Sequence, residues 1–353
     1  MSSDARPPAA ARSGLSRITD VAGRAGVSTA TVDRVLNGRA GVRGVTVERV
    51  LRAAAELGYI LDLERYSTRA QKPLRLAFLL PAGSNRFLAM LGQLVASSHQ
   101  QFAQLNMSAR VEFIRSFNPE FLARHLRQTA RSADGIAFMA LEHPAVREAV
   151  NDLAERGTPT VTLISDIANA RRAAYIGLDN RSVGRTAGYL TARFIGPRPA
   201  KVAMIAGSLS YRAHEEREMG FLHVFAEMFP QIEVVGLREG HDDEAKNYRQ
   251  ARMLLAQHPE LAGIYNIGGG SNGIAQAMKE AHRAQNMVLV GHGLTPDTRA
   301  LLIDGTMDAV ITQNPRTTLL DCMTAFENLR AGRDAMAGIE ATRSEIVLRE
   351  NLP

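Results

Sequence analysis

The 353-residue sequence has one cysteine, no tryptophan and only 5% aromatic residues. A single thiol excludes an internal disulfide. Cys322, set in the apolar stretch Leu319 to Phe326, reads as helix packing rather than as a nucleophile. No run approaches the roughly 20 consecutive apolar residues that cross a bilayer, so no membrane span is expected. Residues 1–15 are rich in Ser, Ala, Arg and Pro without an apolar core. They read as a disordered tail rather than a secretory signal, which implies a cytoplasmic protein. The nine histidines are scattered. There is no His-Glu-x-x-His, no nucleophile elbow and no Cys/His metal spacing, so no metal, no cofactor and no catalysis are expected.

What is present is concentrated at the N-terminal end. Ile18, Val21, Ala22 and Ala25 fall on one face at helical spacing, and Gly26-Val27 makes a turn. Ser28 then supplies a cap for a second helix that buries Val32, Val35 and Leu36. On the opposite face of that helix lie Thr29, Ala30, Asp33, Arg34 and Asn37, a polar surface suited to a major groove. A third helix, expected to be capped by Thr46, buries Val47, Val50, Leu51, Ala54 and Leu57 and stops at Gly58. Residues 1–72 carry twelve basic side chains against seven acidic ones, which is five of the chain's six net positive charges. The excess is therefore local, as expected of a head that neutralises phosphates.

From Arg17 to Asn37, and on through Glu56-Leu-Gly-Tyr59, the sequence resembles the head of the lac-repressor (LacI/GalR) family of bacterial transcription regulators. The resemblance implies base contacts from Thr29, Ala30 and Arg34, and phosphate or hinge roles for Ser28, Thr31, Asn37 and Tyr59. Asp33 departs from the serine common in the family. A carboxylate there either accepts from a cytosine amino group or pairs with Arg34, and pairing is the expectation. Residues 60–73 stand where the family has a hinge helix. They lack its usual proline, place Thr68 at the minor-groove wedge, and turn Asp62 and Glu64 toward phosphate. Leu63 or Tyr66 takes the wedge role, or DNA is bent less.

From Lys72 onward, apolar runs at 74–80, 111–114, 135–141, 160–164, 201–206, 263–267, 288–290 and 309–312 read as strands, with amphipathic stretches between most of them. This alternation predicts an α/β body of two doubly wound parallel-sheet lobes behind the three-helix helix-turn-helix head. Ligands of such folds bind at the carboxyl ends of strands. The loops there offer Asn85 and Phe87, Ser165 and Asp166, then Tyr211, Arg212, His214 and Glu215, then Ser271 and Asn272, His292, and Gln313. Hydroxyls, amides, carboxylates and rings in that mixture suit a neutral polyhydroxy ligand.

Residues 74–353 resemble the effector domain of the same family, which shares its fold with periplasmic sugar-binding proteins. Asn85-Arg-Phe87 matches a sugar-binding Asn-x-Phe, Ile176 to Asn180 with Gly184 matches the family's lobe-crossing strand and helix, and Gln313 matches a glutamine at a late crossover. Glu215 replaces an arginine, Gly293 an acid and Gly270 an asparagine. The resemblance implies a tail (1–15), a helix-turn-helix domain (16–59), a hinge (60–73) and a two-lobed effector and dimerisation domain (74–353). It further implies a homodimeric repressor on operator DNA, with a tetramer left open, controlled by a sugar, polyol or cyclitol. Two alternatives stand beside it. One is a free sugar-binding protein. The other is a nucleotide-cofactor enzyme using Gly268-Gly-Gly270-Ser-Asn-Gly273, which satisfies G-x-G-x-x-G but lacks the acidic residue about 20 positions on.

Overall fold

The computed structural model describes residues 16–37, 39, 41–59, 72–115 and 117–353. The tail 1–15 and the hinge candidates Asp62, Leu63, Glu64, Tyr66 and Thr68 lie outside the described residues. The chain divides into two compact units. One carries the described residues up to Pro73 together with the short stretch Ala103–Met107, and the other carries the remainder.

In the first unit, α1 (Ile18–Ala25), α2 (Thr29–Leu36) and α3 (Gly44–Glu56) enclose one small core of Val21, Ala25, Val32, Val35, Val50, Leu51 and Ala54. The turn between α1 and α2 is made by Gly26 at φ 65, a left-handed conformation that glycine adopts without Cβ strain. Ser28 caps α2 by accepting from the Thr31 N–H at 3.2 Å. The third helix starts two residues earlier than its expected cap. Arg43 is its N-cap residue, without a side-chain bond, and Thr46 lies inside the first turn.

The body contains two sheets. The first has the order β2-β1-β3-β4-β5, from β1 (Leu74–Pro81), β2 (Met107–Ile114), β3 (Gly135–Phe138), β4 (Thr160–Leu163) and β5 (Ala174–Ile176). The second has the order β11-β10-β9-β8-β6-β7, from β6 (Ala200–Ala206), β7 (Ile232–Glu239), β8 (Leu261–Asn266), β9 (Val288–His292), β10 (Ala309–Thr312) and β11 (Glu345–Val347). All described pairings within these sheets are parallel except β10 with β11. Both sheets therefore repeat one doubly wound order and reverse it at a switch point, between β1 and β3 in one and between β6 and β8 in the other.

Among the described residues, ten α-helices accompany the sheets: α4 (Arg86–Ser97), α5 (His99–Gln104), α6 (Pro119–Thr129), α7 (Pro144–Glu155), α8 (Asn180–Ile195), α9 (Arg212–Met228), α10 (Glu244–Gln257), α11 (Ser271–Glu280), α12 (Pro296–Ile303) and α13 (Pro315–Arg330). The chain changes lobes after β5, after β10, and again before β11, because α8 packs on the second sheet and α13 on α4, β4 and β5 of the first. Cys322 is fully buried in α13, where burial pushes its thiol up. Helices α8 and α9 pack backbone to backbone: a Cβ added at Gly184 would stand 2.1 Å from the Arg217 carbonyl oxygen, and one at Gly220 2.1 Å from that of Arg181. That close approach sets Arg217 into the second lobe.

Three strands escape the sequence reading based on apolar runs. β5 and β11 are three residues each, and β7 is an edge strand interrupted by Gly236 at φ 143. A short or half-exposed edge strand needs no continuous apolar run.

Candidate functional site

On the head, Thr29, Ala30, Arg34 and Asn37 are exposed along α2, opposite the buried Val32 and Val35, while Thr31 and Asp33 are half-buried. Ser28 and Thr31 also share a hydroxyl bond of 2.9 Å. The expected Asp33–Arg34 pair is corrected: Asp33 accepts from Asn37 Nδ2 at 2.8 Å and pairs with Arg39 at 3.3 Å. Residues one apart on a helix diverge by about 100°, so the neighbour at i+4 and the residue past the helix end reach the carboxylate first. Arg34 is left to point outward. Tyr59 follows α3 and is exposed.

In the body, a cleft of about 750 Å³ of empty space lies at the carboxyl ends of strands from both sheets. Its wall is formed by residues 84–88 after β1, Met139 after β3, Ile164 after β4 and Leu178 after β5 on one side. His214 and Arg217 on α9, Glu244 on α10, residues 268–271 after β8, His292 at the end of β9 with Gly293, Thr295, Asp297 and Thr298 after it, and Ile311 to Gln313 complete it. Apolar Phe87, Met139, Ile164, Leu178 and Ile311 are thus interleaved with polar groups.

Six of the twelve expected effector residues line this cleft: Asn85, Phe87, His214, Ser271, His292 and Gln313. Asn85 caps α4 through Oδ1 and donates from Nδ2 to Asp242 at 3.0 Å. Gln313 donates to Thr318 at 2.9 Å, and no described residue bonds its Oε1. Ser271 accepts from Asn266 at 2.9 Å and keeps its hydroxyl proton to give. The two histidines are held neutral. Burial pushes His214 down to about 4, opposed by Asp242 and reinforced by Arg217. Burial also takes His292 well below its ordinary range, with Arg217 adding to the effect. His292 Nε2 and the Tyr265 hydroxyl share a 2.6 Å bond, and burial raises the Tyr265 hydroxyl so that it stays protonated.

The other six do not line it. Ser165 is fully buried and accepts from the Ala213 N–H at 3.3 Å. Asp166 accepts from Thr162 at 2.6 Å and is clamped by both arms of the Arg172 guanidinium. Arg212 pairs with Glu216 at 2.7 Å, Asn272 bonds Glu244 at 3.3 Å, Glu215 is exposed, and Tyr211 is buried edge-on to His214 and Phe117. The residue after β4 that reaches the cleft is Ile164, at φ 66, a conformation rare for a β-branched side chain and found where function holds it.

The sequence reading missed Arg217. It is 6% exposed and donates from Nε to Asn180 Oδ1 at 2.8 Å and from Nη1 to the Ile267 carbonyl at 2.9 Å. Burial lowers its pKa, yet no carboxylate among the described residues forms an ion pair with it. Its position three residues before Gly220, whose missing side chain lets α8 approach, was the available signal. No group of described His, Cys, Asp or Glu side chains could hold a metal.

A family model for bacterial regulatory proteins of the lacI family matches residues 17–62, and a model for a periplasmic binding protein domain matches residues 113–333. Among curated relatives, the D-allose-binding periplasmic protein of Escherichia coli is 27% identical over 189 residues, 51% of this chain and 60% of that protein. The ribose import binding protein of the same organism is 27% identical over 188 residues, 53% of this chain and 62% of that protein. The chain thus spans about three fifths of the length of these relatives. Among solved structures, a glucose-galactose binding protein from Geobacillus stearothermophilus superposes with a TM-score of 0.72 at 24% identity, covering 80% of this chain and all of the other. A periplasmic solute binding protein from Actinobacillus succinogenes with bound D-allose does so with a TM-score of 0.68 at 20% identity, covering 78% of this chain and 98% of the other. These structural likenesses show the two-lobed fold. No helix among the described residues is long and apolar enough to cross a membrane.

Proposed function

Because this chain belongs to the lacI family of bacterial regulatory proteins and carries a periplasmic-binding-protein domain, we propose that it is a cytoplasmic, homodimeric repressor of a carbohydrate or polyol operon. Thr29, Ala30 and Arg34 read base edges in the major groove, and Ser28, Thr31, Asn37 and Tyr59 hold the backbone. One small head makes too few contacts for specific binding, and two heads on half-sites one helical turn apart add theirs.

The effector is a small neutral sugar, polyol or cyclitol held between the lobes. The observation that carries this reading is the charge balance of the cleft. Its two wall cations, Arg86 and Arg217, are matched by Glu244 and Asp297, and Arg86 is already paired with Asp297 at 3.2 Å. A phosphate would want several converging cations. A neutral polyhydroxy ligand instead matches Gln313 Oε1 as an acceptor, the Ser271 hydroxyl and Arg217 as donors, and Phe87 as a ring for its C–H face. Relatives whose names state D-allose and ribose binding agree with this class. Calorimetry of the full chain against neutral aldoses, ketoses, polyols, cyclitols and their phosphates tests it. Binding of a neutral member is expected, and binding confined to a phosphorylated member with none for its neutral parent would overturn it.

A further inference from the structure

Asp242 lies in the second lobe, between β7 and α10, yet it is bonded to the first. Its Oδ2 accepts from Asn85 Nδ2 at 3.0 Å, and its backbone carbonyl accepts from the Ser84 hydroxyl at 2.7 Å. Its Oδ1 accepts from the Gly269 N–H at 2.6 Å within its own lobe. One carboxylate therefore joins the α4 N-terminus of one lobe to the β8–α11 turn of the other.

The seat for this carboxylate is built. A Cβ added at Gly207 would stand 2.4 Å from Oδ1, and one at Gly268 2.2 Å from it, so a side chain at either position would push the carboxylate from its seat. The triple glycine that in sequence suggests a phosphate cradle makes room here for an acid of the chain itself. The turn bearing Asp242 is held in an uncommon conformation: His241 and Asp242 have φ of 55 and 56, and the Gly240 and His241 N–H groups donate to the Ala206 and Gly207 carbonyls, each at 2.8 Å. Histidine and aspartate enter that region more readily than most non-glycine residues, and the two backbone bonds hold them in it here. Phe117 of the first lobe lies against His241, ring centroids 5.5 Å apart. The Arg86–Asp297 pair also crosses the cleft, but with 65% of the arginine side chain exposed it contributes little.

We propose that Asp242 is an internal latch whose carboxylate, seated on Gly207, Gly268 and Gly269, holds the lobes together through Asn85. An effector that takes the Asn85 Nδ2–H now given to Asp242 has to displace the carboxylate, so the latch sets which such ligands are strong enough to act. This consequence deepens the effector reading given above; the latch itself stands on the bonds alone.

Electron–electron distance measurements on the full chain test it, with nitroxides at Glu148→Cys in the first lobe and Gln276→Cys in the second, and no ligand added. Both sites are exposed, and native Cys322 is buried. We expect one narrow distance in the otherwise unaltered protein and an additional longer one in both Asp242→Ala and Gly268→Ala. Lys279→Ala, which breaks a pair with Asp304 inside the second lobe, should not produce it. Circular dichroism checks folding, and if Asp242→Ala does not fold, Asn85→Ala breaks the same bond from the opposite lobe. Distributions unchanged in the latch variants, or already two-component without them, would overturn the latch. Neither result touches the calorimetric test of the effector class, so the two readings fail separately.

Discussion

Arg217 and Asn180 are joined by a 2.8 Å bond between Nε and Oδ1 in the interior of the second lobe. Asn180 opens α8 directly after the first lobe crossing, and the same side chain donates to the Tyr175 hydroxyl at 3.0 Å. The crossing itself therefore orients the cation that faces the cleft. A buried charge that loses a hydrogen-bond partner keeps its desolvation penalty. Asn180→Ala is expected to lower stability by about 1.5–3 kcal/mol, the range for bonds to charged groups, as measured by urea unfolding followed by circular dichroism. Effector affinity should fall with it, because the guanidinium is no longer aimed.

Stability should also depend on pH through His214 and His292. Both have folded pKa values below the ordinary histidine range, that of His214 down to about 4. Between there and about pH 6.5 the unfolded chain binds protons that the native chain refuses. Stability from these groups is therefore fully present above about pH 6.5 and is lost as pH falls, at up to about 1.4 kcal/mol per pH unit for each histidine. Unfolding free energies measured from pH 7 to pH 4.5 should fall accordingly, and His214→Gln should flatten the curve. A slope identical in the variant would contradict the assignment.

Asp166 was expected among the effector ligands, but its carboxylate is spent on Arg172 and Thr162. Asp166→Asn should cost about 1–3 kcal/mol of folding stability by weakening that clamp, while affinity for the neutral sugar found by calorimetry stays unchanged. Thermal unfolding and calorimetry on the same sample read both quantities.

Arg34 is exposed on α2, with Asp33 turned away to Arg39. Arg34→Ala should cost about 1–3 kcal/mol on the preferred site and relax discrimination at one base pair, as read by selection from random DNA. An equal loss on preferred and random sequences would show a phosphate contact only.

The head was legible because each signal there is local: Gly26 for a left-handed turn, Ser28 for a cap, and apolar residues three and four apart for the stripes. The cleft was legible only in outline. A search for polar residues after each strand finds Asn85, Ser271, His292 and Gln313, but it selects Ser165 and Asp166 after β4. The positive φ of Ile164 puts the apolar residue into the cleft instead. A backbone conformation of that kind leaves no mark in composition. Arg217 and Asp242 were missed for a different reason. One sits in a helix interior that depends on Gly184 and Gly220, and the other bonds a residue 157 positions away. Such pairings follow from topology and from no local pattern.

Sugar and operator are expected to act on one another through this chain. With an operator obtained by selection and the sugar identified by calorimetry, fluorescence anisotropy gives operator affinity with and without saturating sugar, and calorimetry gives sugar affinity with and without operator. Both affinities are expected to shift by the same factor, within the usual range of about 5–150-fold. Tight sugar binding that leaves operator affinity unchanged to within about a factor of two would contradict it.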